Sequence, residues 1–360
     1  MARPSGSATR PSRITRAPRM STDPSPRVSS QTTNQSPRPS ASAGAVSSTT
    51  QGTAGVEPRA MPESRRMSKK ASRTAELAAL ARASMYREPA LRGPDHMAIR
   101  FLSAPLKMLV SLEPARRVAL KLYTKLMPGA YALVRARTWA FDDFVQRELR
   151  GGARQVVVLG AGYDSRAYRF AEMLRATAAR VFELDAPATS RLKQAKVRRL
   201  FGALPPEVAY VQVDFEQDSL EERLTQAGYS TSARTAFLWE GVTYYLRQSA
   251  VEQVLRFVRE RSGPASAIIF DLIHRGIVEG RDTSFGAQQQ RRYVQNKGEP
   301  FLFGLDPEEL PGFLERNGFG LEEVLDADAM AARYFAQAPK DSELHRLANF
   351  NAIAVARAKG

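Results

Sequence analysis

The feature that most constrains the fold is a short apolar segment that leads directly into a Gly-X-Gly turn. Residues 155–159 read Gln-Val-Val-Val-Leu, and Gly160, Ala161 and Gly162 follow without a break. This pattern is typical of the first strand of a doubly wound α/β domain, which delivers the chain to a nucleotide-like cofactor. Glycine permits tight backbone dihedrals and the close approach of a ligand. A plain tight turn is the alternative, so the prediction depends on polar groups at the ends of later strands.

Three later apolar runs are predicted as strands, and each ends in a carboxylate. The runs and their acids are residues 180–187 with Asp185, residues 209–213 followed by Asp214, and residues 235–239 followed by Glu240. A carboxylate in the position of Asp185 can accept hydrogen bonds from the two hydroxyls of a ribose. Asp214 can accept from an adenine amino group beside the apolar wall of Phe215. Each acid alone has an alternative as a solvated strand end or a helix cap, but their order along the chain favours a site for adenosine.

The residues around the turn indicate which cofactor this site takes. A dinucleotide fingerprint requires a third glycine at position 165, but the chain has Ser165, preceded by Asp164. A carboxylate at that point repels a pyrophosphate and suits a cofactor with a positive centre. S-adenosyl-L-methionine, which carries a sulfonium and an α-ammonium, meets this requirement. A role for Asp164 as a helix cap stays open.

The motifs resemble those of the leucine carboxyl methyltransferase-like family, which includes many uncharacterised bacterial S-adenosylmethionine-dependent methyltransferases. The resemblance covers about residues 72–357 and rests on residues 135–143, 160–169, 182–185, 214–215 and 237–246. It implies a class I methyltransferase fold, a doubly wound, Rossmann-like seven-stranded sheet with an N-terminal helical cap. It also implies that Arg137 holds the methionine carboxylate of the donor and that Glu240 lies near its amino group. With Asp164, the predicted cofactor-binding residues are Arg137, Gly160, Gly162, Asp164, Asp185, Asp214, Phe215 and Glu240.

The remaining pattern predicts the second half of the fold. Helical spacing runs through residues 248–261, a continuously apolar strand occupies residues 267–273 except for Asp271, and a closing pair of strands is expected near residues 321–325 and 349–356. A helix at residues 307–318 is predicted to begin at Asp306 as its cap and to stop at Gly318. Residues 102–134 show helical spacing and are expected to pack on the core, with a lid or a lipid-facing surface as alternatives.

Composition divides the chain near residue 70. Residues 1–70 contain 12 Lys or Arg and three acids, with many Ser, Thr and Pro, and are expected to be a disordered basic tail. Residues 71–360 are expected to form one methyltransferase domain, with a helical cap at 71–150 and the Rossmann-like core at 151–360. Without a long apolar run, a membrane span is not expected, and a cytoplasmic location is predicted, although an Arg- and Ser-rich start also fits organellar targeting.

The acceptor chemistry follows from the few groups that could serve as bases or ligands. The chain has no cysteine and three separated histidines, so no metal site is expected. Methyl transfer to a carboxylate needs no base, whereas a hydroxyl acceptor needs one, and His274, after the fifth strand, is the candidate. Arginines between residues 274 and 304, namely Arg275, Arg291 and Arg292, are candidates for clamping an acceptor carboxylate.

The sequence therefore predicts an O-methyltransferase that acts on a carboxylate or hydroxyl of a small metabolite, and no specific nucleic-acid partner. One alternative is a NAD-dependent oxidoreductase, which Asp164 and Ser165 disfavour. The other is a nucleic-acid-binding or scaffold protein with a vestigial donor pocket that works through the basic tail.

Overall fold

Seven strands form one mixed sheet in the order β3-β2-β1-β4-β5-β7-β6. This is a computed structural model, and it describes residues 63–88, 92–215, 218–339 and 342–359. The strands are β1 Gln155–Leu159, β2 Arg180–Asp185, β3 Val208–Gln212, β4 Thr235–Trp239, β5 Ala267–Ile273, β6 Phe319–Leu325 and β7 Asn351–Ala358. The predicted doubly wound, seven-stranded α/β sheet is therefore confirmed.

The first five strands are parallel and the last two are antiparallel to their neighbours. Every residue of β1, β4 and β5 is buried, as expected of central parallel strands that are covered by helices on both faces. The order in which strands are added to the sheet reverses between β1 and β4, so the loops after these strands diverge and open a crevice at their carboxyl ends. In doubly wound sheets ligands bind at this switch point.

Thirteen α-helices and three short 3₁₀ segments surround the sheet in the described part of the chain. The helices before β1 are α1 Glu63–Tyr86, α2 Ala104–Ser111, α3 Glu113–Leu126 and α4 Ala130–Arg150. The others are α5 Arg166–Arg169, α6 Ala171–Ala176, α7 Pro187–Phe201, α8 Leu220–Gln226, α9 Gln248–Glu260, α10 Arg275–Glu279, α11 Ala287–Asn296, α12 Leu310–Arg316 and α13 Ala327–Tyr334. The 3₁₀ segments are Ala98–Phe101, Thr243–Tyr245 and Glu343–His345.

The helix predicted at residues 307–318 is shorter than expected at its start. α12 begins at Leu310, with Glu309 at its N-cap position, so the prediction that Asp306 caps it is wrong. Asp306 instead accepts a hydrogen bond from the backbone N–H of Arg275 at 2.9 Å, which ties the loop before α12 to the start of α10. Gly318 has a φ of +82° just beyond the helix end, as a glycine stop requires.

Helices α1 to α4 occupy the segment for which the sequence predicts a cap. α1 begins at Glu63, within the segment that composition assigned to the tail, and the prediction for residues 1–62 lies outside the described residues. α4 is buried along most of its 21 residues, since it crosses the sheet and carries Arg137 to the crevice. In α2 and α3 the expected packing on the core holds for Val110 but not for several other apolar residues, which are exposed. No described helix combines the length and the apolar character that crossing a membrane requires.

Candidate cofactor site

The turn after β1 can be built only from residues without bulky side chains. Gly160 has a φ of +70° and Gly162 a φ of +46°, both in the left-handed region. A Cβ atom at position 160 would lie 2.8 Å from Val242 Cγ2 on the loop after β4. The N–H of Gly162 donates to Asp185 Oδ2 at 2.5 Å. The turn therefore brings the ends of β1, β2 and β4 together.

Substitution of Gly160 by alanine tests whether this turn supports ligand binding. The positive φ is expected to cost about 1–3 kcal/mol of stability, and the methyl group would displace Val242. Gly202→Ala is the matched control, because Gly202 has a φ of +81° but no atom within 4 Å of an added Cβ. Both variants should lose stability in denaturant titrations, Gly160→Ala the more because of the clash with Val242, whereas only Gly160→Ala should weaken nucleotide binding. If the two variants bound the nucleotide with equal affinity, the turn after β1 would not be part of the ligand site.

Asp185 is the last residue of β2, and Asp214 follows the end of β3 by two residues. Both acids therefore lie at the carboxyl ends of their strands, as the sequence predicted. Asp185 is half-buried and accepts from the backbone N–H groups of Gly162 and Ala186, the latter at 2.7 Å. Burial raises its pKa, and these two hydrogen bonds act against that shift. Asp214 is exposed, and Phe215 is partly buried against the apolar core.

Arg137 is the most enclosed of the predicted residues. Its guanidinium donates from Nε to Glu240 Oε1 at 3.0 Å and from Nη1 to Asp271 Oδ2 at 2.5 Å, and Tyr244 Oη lies 3.4 Å from Nη1. Burial alone would lower the pKa of Arg137, but the Asp271 and Glu240 carboxylates raise it well above its ordinary value. Asp271 also accepts from the N–H of Gly241 at 2.7 Å. Arg137, from the first half of α4, thus meets acids from the carboxyl ends of β4 and β5 at one buried cation.

Glu240 also forms an ion pair with a second guanidinium, that of Arg166. Arg166 Nη1 lies 2.8 Å from Glu240 Oε2 and also pairs with Asp164, while its Nε donates to Asp142 Oδ1 at 2.7 Å. Asp164 also accepts from the backbone N–H of Arg166 at 2.7 Å, so it supports the start of α5 as well as pairing with a charge. Burial would raise the pKa of Asp164, but Arg166 and Lys193 lower it to about 2. The carboxylate is therefore ionised at neutral pH.

The ion pairs continue without a break to Arg82 on α1 and to Asp95 in the loop that follows it. Arg169 binds both oxygens of Asp142, at 2.6 and 2.7 Å, and lies 3.6 Å from Asp95. Asp95 in turn accepts from Arg82 Nε at 2.9 Å and from Ser165 Oγ at 2.7 Å. The result is one network of alternating charges, which we call the charge network; its members are Arg82, Asp95, Arg169, Asp142, Arg166, Asp164, Glu240, Arg137 and Asp271. Five carboxylates against four guanidiniums leave it with one excess negative charge.

A separate buried ion pair joins Glu183 on β2, two residues before Asp185, to Lys193 on α7. The carboxylate and the ammonium are 2.8 Å apart, and both side chains are 2% exposed. Burial raises the pKa of Glu183 to about 7, although Lys193 acts against the shift. The folded protein therefore holds a proton on Glu183 more tightly than the unfolded chain does.

This pair predicts a pH dependence of stability. Because the folded-state pKa of Glu183 is raised, its contribution to stability is full below its ordinary pKa of 4.5 and is lost as the pH rises to about 7. The double variant Glu183→Gln/Lys193→Met should have a flatter dependence over this window, measured as the free energy of unfolding at several pH values. The exposed pair variant Glu315→Gln/Lys359→Met should keep the wild-type slope. Parallel curves for wild type and the buried-pair variant would contradict the assignment.

His274 and the arginines after β5 lie apart from these ion pairs. His274 lines a polar cavity of about 430 Å³ with Arg281, Asp282, Thr283, Ser284 and Asp306, among others, and this lining includes neither Arg137 nor Glu240. Its Nε2 is buried and has no hydrogen-bond partner among the described residues. Arg275 pairs with Glu309 at 2.7 Å on the surface, and Arg292 donates to the carbonyl of Gln288. None of the described ion pairs brings these side chains to the charge network.

An aromatic cluster covers the Arg137 end of the crevice. The ring of Tyr244 lies 4.7 Å from that of Tyr245 and 5.5 Å from that of Phe301, measured between centroids, and Tyr245 lies 5.8 Å from Phe301. All three residues are partly exposed. The cluster therefore presents an apolar wall from the loop after β4 and from the segment before α12.

Sequence reasoning missed six members of the charge network, namely Arg82, Asp95, Asp142, Arg166, Arg169 and Asp271. The sequence did contain a signal for Asp271, because a single carboxylate within a continuously apolar strand requires a buried partner. Asp142 and Arg166 lie inside motifs that were compared with the family, but their partnership spans 24 residues and forms only when α4 packs beside the turn after β1.

Comparison with known proteins identifies the group to which the chain is similar. The family model described as leucine carboxyl methyltransferase matches residues 75–259, just over half of the 360 residues. A Streptomyces coelicolor protein is 36% identical over 150 residues, which are 42% of this chain and 51% of that protein. A Bacillus subtilis protein is 28% identical over 200 residues, 56% of this chain and 65% of that protein. Both carry the name "Putative S-adenosyl-L-methionine-dependent methyltransferase".

The chain spans between half and two thirds of the length of these two relatives. Among solved structures, a Thermobifida fusca protein described as a "putative methyltransferase" aligns with a TM-score of 0.47 and 20% identity, over 68% of this chain and 89% of that one.

Proposed function

The chain belongs to the leucine carboxyl methyltransferase family, and we propose that it is an S-adenosyl-L-methionine-dependent O-methyltransferase acting on a carboxylate or hydroxyl of a small metabolite. The observation that carries this proposal is the excess negative charge of the charge network. S-adenosylmethionine has a sulfonium, an ammonium and a carboxylate, and hence one net positive charge. A dinucleotide brings an anionic pyrophosphate instead. Electrostatic complementarity therefore favours the sulfonium donor over NAD.

We assign the methionine end of the donor to the buried arginine and the acids around it. Two nitrogens of Arg137 donate to Glu240 and Asp271, while Nη2 has no hydrogen-bond partner among the described residues. This third nitrogen is available to a donor carboxylate. Each oxygen of Glu240 accepts one hydrogen bond from a guanidinium and retains a lone pair for the donor ammonium. Asp164 adds negative potential at the same point.

The adenosine end fits the outer part of the crevice. Gly160 and Gly162, with their positive φ angles, hold the turn against the end of β2, where the N–H of Gly162 donates to Asp185. Each oxygen of Asp185 accepts one backbone N–H and retains a lone pair for a ribose hydroxyl. Asp214 and the partly buried Phe215 are proposed to receive the adenine, by a hydrogen bond and by apolar contact.

The bound donor supplies an electrophilic methyl group for an in-line displacement. The protein must then align the acceptor oxygen, hold both reactants and exclude water. A carboxylate acceptor is ionised at neutral pH and needs no base. A hydroxyl acceptor needs one, and His274 lines a cavity whose walls contain neither Arg137 nor Glu240. We therefore favour a carboxylate acceptor, with its apolar body against Tyr245 and Phe301. Residues 71–150 are proposed to act as the cap over the core at 151–360.

A transfer assay with methyl-labelled S-adenosylmethionine tests this proposal. The full chain is incubated with a panel of small aromatic and aliphatic carboxylic acids and with the matching alcohols. We expect labelled product from an acid, released as methanol on treatment with alkali, because methyl esters are hydrolysed and methyl ethers are not. Label that survives alkali would assign a hydroxyl acceptor. Donor binding without transfer to any acceptor would instead support a vestigial donor pocket.

A further inference from the structure

Helix α3 is apolar on two opposite faces. One face packs against the core through Leu120 and Tyr123. The other carries Val118, Leu122 and Leu126, which are 67%, 56% and 46% exposed. Their four-residue spacing aligns them along the helix. A helix on the surface of a soluble domain normally turns a polar face outward, so this second face is suited to contact with an apolar partner.

Two further exposed apolar residues lie just before this face in the chain, in and after α2. Met108 is 63% exposed, and Leu112, which joins the end of α2 to the start of α3, is 53% exposed. In the described part of the chain ten large apolar residues are exposed, and five of them lie within this stretch. We call these five the outer stripe, namely Met108, Leu112, Val118, Leu122 and Leu126. Such a concentration indicates a surface for binding rather than the scattered exposure that is usual.

Lysines flank the outer stripe. Lys107, Lys121 and Lys125 each directly precede a residue of the stripe, and the described ion pairs give none of them a carboxylate partner. Arg117 differs, because it is paired with Glu113 on the same helix. Lysines beside exposed leucines are typical of helices that lie in a membrane interface, where the aliphatic stems reach past apolar groups to anionic headgroups.

We propose that the outer stripe docks on an anionic membrane surface, with Val118, Leu122 and Leu126 in the interface and the flanking lysines at the headgroups. A second copy of the chain is disfavoured as the occupant, because the lysines of the two copies would face each other. The net charge of +16 adds a long-range attraction to the same surface.

Vesicle flotation of the full chain tests the proposal. The probes are vesicles of phosphatidylcholine alone and of phosphatidylcholine mixed with phosphatidylserine. We expect binding to the mixed vesicles, and a decrease of about tenfold in partitioning for Val118→Gln/Leu122→Gln, which keeps every charge. Leu192→Gln is the control, since Leu192 is 48% exposed on α7 and is not a member of the stripe. Lys121→Gln/Lys125→Gln should reduce binding to the mixed vesicles and make it less sensitive to salt.

Three outcomes would overturn the proposal. The first is no binding of the wild-type chain to mixed vesicles. The second is equal binding by wild type and Val118→Gln/Leu122→Gln, which would assign the contact to basic residues elsewhere in the chain. The third is a wild-type dimer in analytical ultracentrifugation that the stripe variant converts to a monomer, because the stripe would then be a self-association surface. Thermal unfolding of each variant checks that the fold is intact.

Discussion

Replacement of Glu240 by glutamine is expected to lower the affinity for S-adenosylmethionine by about 100-fold, because a buried charged partner is lost. Glu240 is the only member of the charge network that joins Arg137 to Arg166 among the described ion pairs. Without its charge, four guanidiniums face four carboxylates, and the excess negative charge that favours a cationic donor disappears. The glutamine keeps the size of the side chain and removes the charge, and because its amide nitrogen cannot accept from a guanidinium, one of the two contacts is lost as well.

The loss should be larger for S-adenosylmethionine than for S-adenosylhomocysteine, which lacks the sulfonium charge. Calorimetric titration of both ligands measures this difference directly. Glu221→Gln serves as the control, because Glu221 is exposed and pairs with Arg261 on the surface. An unchanged affinity for both ligands in Glu240→Gln would remove Glu240 from the donor site.

The second large effect is expected from Arg137→Met, which should lower the free energy of unfolding by about 3–5 kcal/mol. The substitution leaves the buried carboxylates of Glu240 and Asp271 without their shared cation. The apolar methionine cannot replace the lost hydrogen bonds, so both acids would carry a desolvation cost. Donor binding should be lost as well, because the proposed contact to the methionine carboxylate is removed.

Denaturant titration of three variants distinguishes this cause from simple loss of packing. Arg137→Met/Asp271→Asn should be less destabilised than the sum of the two single substitutions, since the unpaired charge at position 271 is absent. Arg117→Met is the exposed control and should change stability by less than about 0.5 kcal/mol, as expected for a surface pair. Additive effects of the two buried substitutions would contradict direct coupling between Arg137 and Asp271.

Much of the fold followed from local pattern. Strands β1, β4 and β5 have the predicted bounds, because continuous apolar runs between turn residues identify buried parallel strands well. The start of α12 was misplaced, since an aspartate before a proline suggests a cap whether or not the helix begins there. Asp306 accepts a hydrogen bond from the backbone N–H of Arg275, which lies 31 residues away. A contact between residues so far apart cannot be recognised from the neighbouring sequence.

The candidate site was predictable at the strand ends and not between them. Asp185 and Glu240 were located because their positions depend only on where each strand stops. The cap residues Arg82 and Asp95 reach the site through contacts with the turn at Tyr163 and Ser165, which lie 81 and 70 residues away in the chain. Periodicity within α1 or the loop after it gives no information on such long-range pairing. The charge network therefore required the tertiary structure.

The central claim is that the crevice binds the sulfonium donor, and calorimetric titration of the full chain with S-adenosylmethionine, S-adenosylhomocysteine and NAD tests it most directly. The account predicts saturable binding of the first two ligands and none of NAD. Their affinities should fall in Glu240→Gln and stay unchanged in Glu221→Gln. Binding of NAD, or the absence of binding by both adenosyl ligands, would contradict the assignment of the site.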